Sequence, residues 1–278
     1  MKKIIIISCF ICLLGCQKQA QVEVQKEEYQ IINPQGETLE TRIKPPKGYQ
    51  RTKVQSDSLT YFLRSYELKE HGSPVLLYNG EEKGNQNAHI AVMKLPIENA
   101  DLQQCADSIM RVYAEYYYHQ KQYDKIGFHF VNGFYADYSK WRSGYKIAIN
   151  GNQCSWVKTN TNQKTYQSFQ KYLRIVFSYA STLSMDIESK KIDLADIQVG
   201  DVFLKGGSPG HVVMIVDMSE KDGKKAFLLA QGYMPAQEFH IIKNPRHDDP
   251  WYYEEEVTYP FVSAEYTFYE GSLRHLEY

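Results

Sequence analysis

The sequence predicts an α+β domain in which a helix that begins with a cysteine lies on an antiparallel sheet, with a large insertion between helix and sheet. Three observations carry this. Leu102, Cys105, Ile109, Val112 and Tyr116 follow the three-and-four spacing of a buried helix face. The runs DVFL, HVVMIVDM, AFLLAQGY and EFHIIKN are short and apolar, and Asp222-Gly223 stands as a turn between the second and third, which reads as a meander. Between the cysteine helix and these strands, residues 120–195 are rich in turns and aromatic rings and contain one more strongly periodic helix.

The amino terminus is organised differently. Lys2 and Lys3 precede an apolar run from Ile4 to Leu14. That run is shorter than the roughly 20 residues a membrane-spanning helix needs, and it fits the core of a signal peptide. Leu13-Leu14-Gly15-Cys16 resembles a bacterial lipobox. Residues 1–15 are therefore expected to be removed, taking Cys9 and Cys12 with them, and Cys16 to carry the lipid that ties the protein to a membrane. A plain secretory signal beside a chance cysteine is the alternative. Gln17 is not the aspartate that retains many lipoproteins at the inner membrane, which favours an outer-membrane anchor facing either the periplasm or the outside. From residue 16 to 41 the chain is polar and rich in Gln and Glu, and is expected to be a flexible tether. A single domain is expected over 42–278.

Within that domain IKPPKGY, 43–49, is an extended entry segment. Ser58 to Leu68 has helical apolar spacing. PVLLYNG ends in the turn signal Asn79-Gly80, and HIAVMKLP, from His89 to Pro96, reads as a strand. Asp101 is the expected N-cap of the cysteine helix. In the insertion, Asn132-Gly133 and Asn150-Gly151 mark turns between two or three strands, and Cys154 follows the second turn near Trp156. Thr165 to Ser189 reads as one helix with Phe169, Tyr172, Leu173, Val176, Phe177 and Ala180 on its buried face.

A formal net charge of −1 gives no electrostatic basis for binding nucleic acid. The 23 tyrosines either fill half-buried strands or line a groove for sugars or peptides. Beyond the expected signal peptide, which alone holds a CxxC (Cys9 to Cys12), no CxxC, HExxH or Gly-rich phosphate loop occurs, so no metal or other cofactor is implied. His247, Asp248 and Asp249 read as a solvated loop, with a metal site as the alternative. Cys105 and Cys154 stand in a compartment that favours disulfides: they pair with each other, or one is a working nucleophile.

A thiol attacks a carbonyl as its thiolate, and a helix start and a nearby imidazole both lower its pKa. Cys105 sits at a helix start, His211 opens an apolar strand, and Gln231 lies on the following strand, where its amide can accept the ring N–H. His240 alternates with apolar residues. It is expected at a solvent face or edge, and is the runner-up for the third position.

GDVFLKGGSPGHVVMIVDM resembles the histidine segment of NlpC/P60, CHAP and related papain-like hydrolases, whose nucleophile opens an earlier helix and whose third polar residue lies on the next strand. LQQCADSIMRVYAEY, TYQSFQKYLRIVFSYASTLS and LLAQGYMPAQEFHIIKNP resemble a lipoprotein family of Bacteroidetes-type bacteria, domain of unknown function 4846. The first resemblance implies a papain-like core. It also implies a cell-envelope cysteine amidase or peptidase acting on peptidoglycan stem peptides, with Cys105, His211 and Gln231 as catalytic residues and Gln104, Tyr233 and Trp156 at the substrate. Gln104-Cys105-Ala106-Asp107 departs from the Asp-Cys-Ser or Cys-Trp settings usual there, and the long gap to His211 requires the insertion to fold aside. A catalytically inactive module that binds a glycan or peptide on the same scaffold is the alternative. A purely structural envelope lipoprotein is a third reading.

Overall fold

The computed structural model describes residues 29–278. The expected signal peptide, Cys16 and the first part of the expected tether lie outside these residues.

Order begins before residue 42. Ile32 bridges Ile43, and α1 (Leu39–Arg42) is capped by Thr38, whose hydroxyl accepts the Thr41 N–H while the Thr41 hydroxyl accepts the Thr38 N–H. Leu39 is fully buried, and Ile31 and Ile32 pack against the same core. The tether expected up to 41 therefore gives way to packed chain: a few well-placed apolar residues anchor a segment whose average composition is polar.

Next come β1 (Gln50–Arg51), α2 (Leu59–Arg64) and β2 (His89–Val92). The Ser58 side chain caps α2 by accepting the Tyr61 N–H. The helix stops short of the expected Leu68, because Leu68 is drawn into a bridge with Met93. α3 (Cys105–His119) follows and buries every residue from Cys105 to Glu115. The insertion holds the hairpin β3 (Gly127–His129) and β4 (Tyr135–Asp137), then α4 (Tyr138–Arg142). A second hairpin, β5 (Tyr145–Asn150) and β6 (Gln153–Lys158), leads to α5 (Tyr166–Tyr179), α6 (Thr182–Ile187) and β7 (Ser189–Lys191). The helix expected over Thr165–Ser189 is thus two helices, broken at Ala180, which is extended and serves as the C-cap of α5.

The meander is β8 (Val202–Lys205), β9 (His211–Lys221), β10 (Lys224–Gln231) and β11 (His240–Ile242). Short strands β12 (Tyr252–Tyr253), β13 (Phe261–Val262), β14 (Thr267–Phe268) and β15 (Leu273–Leu276) complete the chain. The main sheet runs β2-β11-β10-β9-β8-β15-β7 with antiparallel neighbours throughout, and β1 and β12 pair onto β9 and β10. Because β7 closes the sheet beside β15, the insertion does not simply fold aside: its last strand is part of the sheet.

Strand alternation then builds two cores. Val212, Met214 and Val216 of β9 join α3 and α5 in the larger one. Val213 and Ile215 face the other way, onto Phe203, Phe227, Phe261 and Phe268. Burial on both faces explains why HVVMIV is an unbroken apolar run rather than an alternating one. Asp222 and Gly223 both have positive φ, 52° and 77°, as a two-residue hairpin loop between right-twisted strands requires.

Candidate functional site

The start of α3 is built by polar contacts. Gln104, not Asp101, is the N-cap. Its backbone N–H donates to the Asp107 carboxylate at 3.1 Å. The Asp101 carboxylate instead accepts the Gln104 side-chain amide at 3.0 Å and the Ala236 N–H at 2.7 Å, which ties the helix start to the loop after β10. Gly232 makes this approach feasible: a Cβ there would lie 2.3 Å from Ser108 Oγ and 3.0 Å from Gln104 O. Cys105 is therefore the first helical residue, held against the end of the sheet.

His211 opens β9 opposite Lys205 and is buried. Its Nε2 lies 2.8 Å from Oε1 of the fully buried Gln231, at the end of β10. The rings of Tyr233 and Tyr266 cover His211, with centroids at 4.6 and 4.9 Å. Burial lowers the His211 pKa to about 4, against the opposing effect of the Gln231 bond. The ring is neutral at ordinary pH.

Cys105 is 5 % exposed. Burial, and after it the charge of Asp107, push its thiol up to about 12, while the backbone N–H groups of Ala106, Val212 and Cys105 itself act in the opposite direction. Val212 directly follows His211, so the sulfur lies against the start of β9. Cys105 also acts electrostatically on Tyr233 and Tyr266, the two rings over His211. Among the described residues no hydrogen bond joins the thiol to the imidazole. The lowered thiol pKa expected from a helix start is not found, because desolvation outweighs the helix dipole, which contributes only about 0.3–1 kcal/mol at a terminus.

Cys105, Gln104 and Asp107 line a cleft of about 350 Å³ whose far wall is the start of α6 and the loop Gly207–Gly210, with Met234 at its rim. A larger groove of about 880 Å³ lies elsewhere, beside Arg42, Lys69 and Lys94, and two of its lysines are already paired with Glu238 and Glu67. It contains none of the expected site residues.

The structure thus brings Gln104, Cys105, His211, Gln231 and Tyr233 to one end of the sheet. It does not bring Trp156 there. Trp156 sits on β6, packed on Phe134 with centroids 5.6 Å apart and 5.5 Å from the Lys140 ammonium. Cys154, on the same hairpin, and Cys105 are both free thiols.

His240 is fully buried rather than at a solvent face, because β11 is an interior strand between β10 and β2. Its Nδ1 lies 2.8 Å from Glu238 O and its Nε2 lies 3.4 Å from Gln231 Nε2. Burial lowers its pKa to about 3. His247 pairs with Glu256 in an exposed loop, and among the described residues no cluster of His, Cys, Asp and Glu could hold a metal ion.

Sequence reasoning missed Tyr266, Glu265 and Lys83. Glu265 accepts a hydrogen bond from Gln231 Nε2 at 2.7 Å and one from Lys83. Both charged residues come from irregular segments without periodicity, so no local pattern marks them.

No curated protein and no solved structure matches the chain. The family described as domain of unknown function (4846) matches residues 39–275, from α1 to the last strand of the sheet, and the chain belongs to that family.

Proposed function

We propose that the protein is a cell-envelope lipoprotein, anchored by lipid on Cys16, whose folded part is a cysteine hydrolase with a papain-like core. The observation that carries this is the 2.8 Å bond between His211 and Gln231 on adjacent strands, at the sheet end where Cys105 opens α3. Cys105 passes its proton to the free nitrogen of His211 as its sulfur attacks an amide carbonyl carbon, and the carbonyl π electrons move to oxygen. The N–H groups at the start of α3 face that oxyanion, and the Gln104 amide stands beside them. Collapse of the intermediate breaks the C–N bond, and the amine leaves with the proton from His211. Water, deprotonated by the same ring, then hydrolyses the thioester and restores the thiol. A thiol near 12 beside an imidazole near 4 is a neutral pair at rest, so the thiolate forms only as substrate enters. The envelope location and the family resemblance favour a peptidoglycan stem peptide as substrate.

A second reading has its own support. Cys105 is buried and makes no hydrogen bond to His211, which suits a cleft that binds a peptide or glycan without cleaving it. Incubation with peptidoglycan fragments, followed by amine release and mass spectrometry, separates the two. Cleavage by the wild type that drops by about three orders of magnitude or more in Cys105→Ala supports the hydrolase. An alanine variant with full activity sinks it. Saturable binding without cleavage by the wild type establishes the second reading.

A further inference from the structure

The Gln231 amide is surrounded by groups whose donor and acceptor roles are fixed. Glu265 receives the Lys83 ammonium on Oε2 and the Asn85 Nδ2 on Oε1 at 3.0 Å; the ammonium can only donate, and Asn85 Oδ1 already accepts the Asn87 N–H at 3.2 Å, so Glu265 stands there as an acceptor. His240 directs Nδ1 at the Glu238 carbonyl oxygen, which can only accept. Nδ1 of that neutral ring therefore carries the proton, and Nε2 offers a lone pair. Gln231 Nε2 has two protons and two acceptors in front of it: Glu265 Oε2 at 2.7 Å and His240 Nε2 at 3.4 Å. A flipped amide would set its oxygen against a carboxylate and a lone pair at once, inside a protein interior where Gln231 and His240 are fully buried. Oε1 is thus forced toward His211, and an oxygen there requires a proton on His211 Nε2.

We propose that Glu265, seated by Lys83, and His240 are positioning residues that lock the Gln231 amide and through it hold His211 as the Nε2–H tautomer, with the lone pair on Nδ1. The sequence conceals this relay because its members come from the segment before β2, from β10, from β11 and from the turn before β14. Its catalytic consequence rests on the hydrolase reading, since only a lone pair on Nδ1 leaves His211 able to take the Cys105 proton while Gln231 holds the other nitrogen. The tautomer itself is observable without any activity.

The test is ¹⁵N NMR of the full chain in detergent, labelled at its 8 histidines, with His211 assigned by its loss in a His211→Ala spectrum. The wild type should show a pyrrole-like Nε2 and a pyridine-like Nδ1 at His211. Glu265→Ala should turn this into a mixture of tautomers, and Glu265→Gln, which keeps an acceptor oxygen, should restore the wild-type pattern. An Nδ1–H ring in the wild type overturns the proposal, even where the alanine variant does not fold. So does a Glu265→Ala protein with an otherwise native spectrum and an unchanged Nε2–H signature. Where cleavage is detected, Glu265→Ala should lower kcat roughly tenfold or more with little change in KM, and Glu265→Gln should recover it. A correct tautomer in a protein without cleavage leaves the relay standing and removes the hydrolase reading alone.

Discussion

At His211 the controlling quantity is desolvation. The ring is neutral in the folded protein with a pKa near 4, whereas an exposed histidine titrates near 6.5. Its contribution to stability is fully present above pH 6.5 and is lost as pH falls toward 4, because the unfolded chain then binds a proton that the fold refuses. Buried carboxyls such as Asp107, raised by desolvation, contribute in the opposite sense, so the useful measure is a difference between variants. Urea midpoints should show the wild type losing roughly 3 kcal/mol relative to His211→Gln between pH 7 and pH 4. A difference that stays flat across that range refutes the assignment. The pairing of His211 with Gln231 was legible in the sequence, because a short hairpin between two apolar runs fixes which strand ends meet. The state of Cys105 was not. A helix start points to an acidic thiol, and only burial of the sulfur, and after it the charge of Asp107, reverses the sign. Trp156, which the hydrolase resemblance implies at the substrate, lies on the β5–β6 hairpin instead, because the sequence does not say which end of the fold a hairpin in the insertion reaches.

Among the elements, the break between α5 and α6 shapes the cleft. The apolar spacing of residues 165–189 runs through it, so periodicity alone predicts one helix. Competing with that spacing are the hydroxyls of Ser181 and Ser184. Ser181 Oγ accepts the Leu183 N–H at 3.1 Å, and Ser184 Oγ accepts the Ser181 N–H at 3.1 Å, a reciprocal cap that starts a new helix. The turn aims Thr182 at the glycine-rich loop, where its hydroxyl donates to Gly207 O at 3.2 Å and where a Cβ at Gly210 would come within 2.4 Å of it. Ser181→Ala should destabilise the protein by about 1 kcal/mol and speed amide exchange in α6, while Ser181→Asp should keep the cap. If the alanine variant is as stable as the wild type and α6 exchanges no faster, tertiary packing rather than the cap makes the break.

For the whole molecule, the segment before α2 is fastened to the centre of the sheet through one carboxylate. Asp217 on β9 is completely buried and accepts Arg64 Nε at 2.6 Å, Arg51 Nε at 2.7 Å and the Met218 N–H at 2.8 Å. Arg64 also donates to Thr52 O at 2.7 Å and Met218 O at 2.9 Å, and Arg51 donates to Ile43 O. Residues 43–52, β9 and α2 are thus joined at one point, and β1 is laid along β9. No sequence pattern could show this, because the partners are more than 150 positions apart and each arginine reads alone as a solvated charge. Asp217→Asn keeps the shape but removes the one carboxylate that, among the described residues, pairs with both guanidinium groups, and its single carbonyl oxygen cannot serve both. Breaking a buried pair from one side costs about 3–5 kcal/mol, far more than an exposed ion pair contributes. The urea midpoint should fall accordingly, and amide exchange should rise first at Thr52, because its N–H donates to Met218 O on β9 and that hold is what the carboxylate secures. A loss below about 1 kcal/mol would mean that water reaches both arginines and that apolar packing of Ile31, Ile32 and Leu39 alone holds the segment in place.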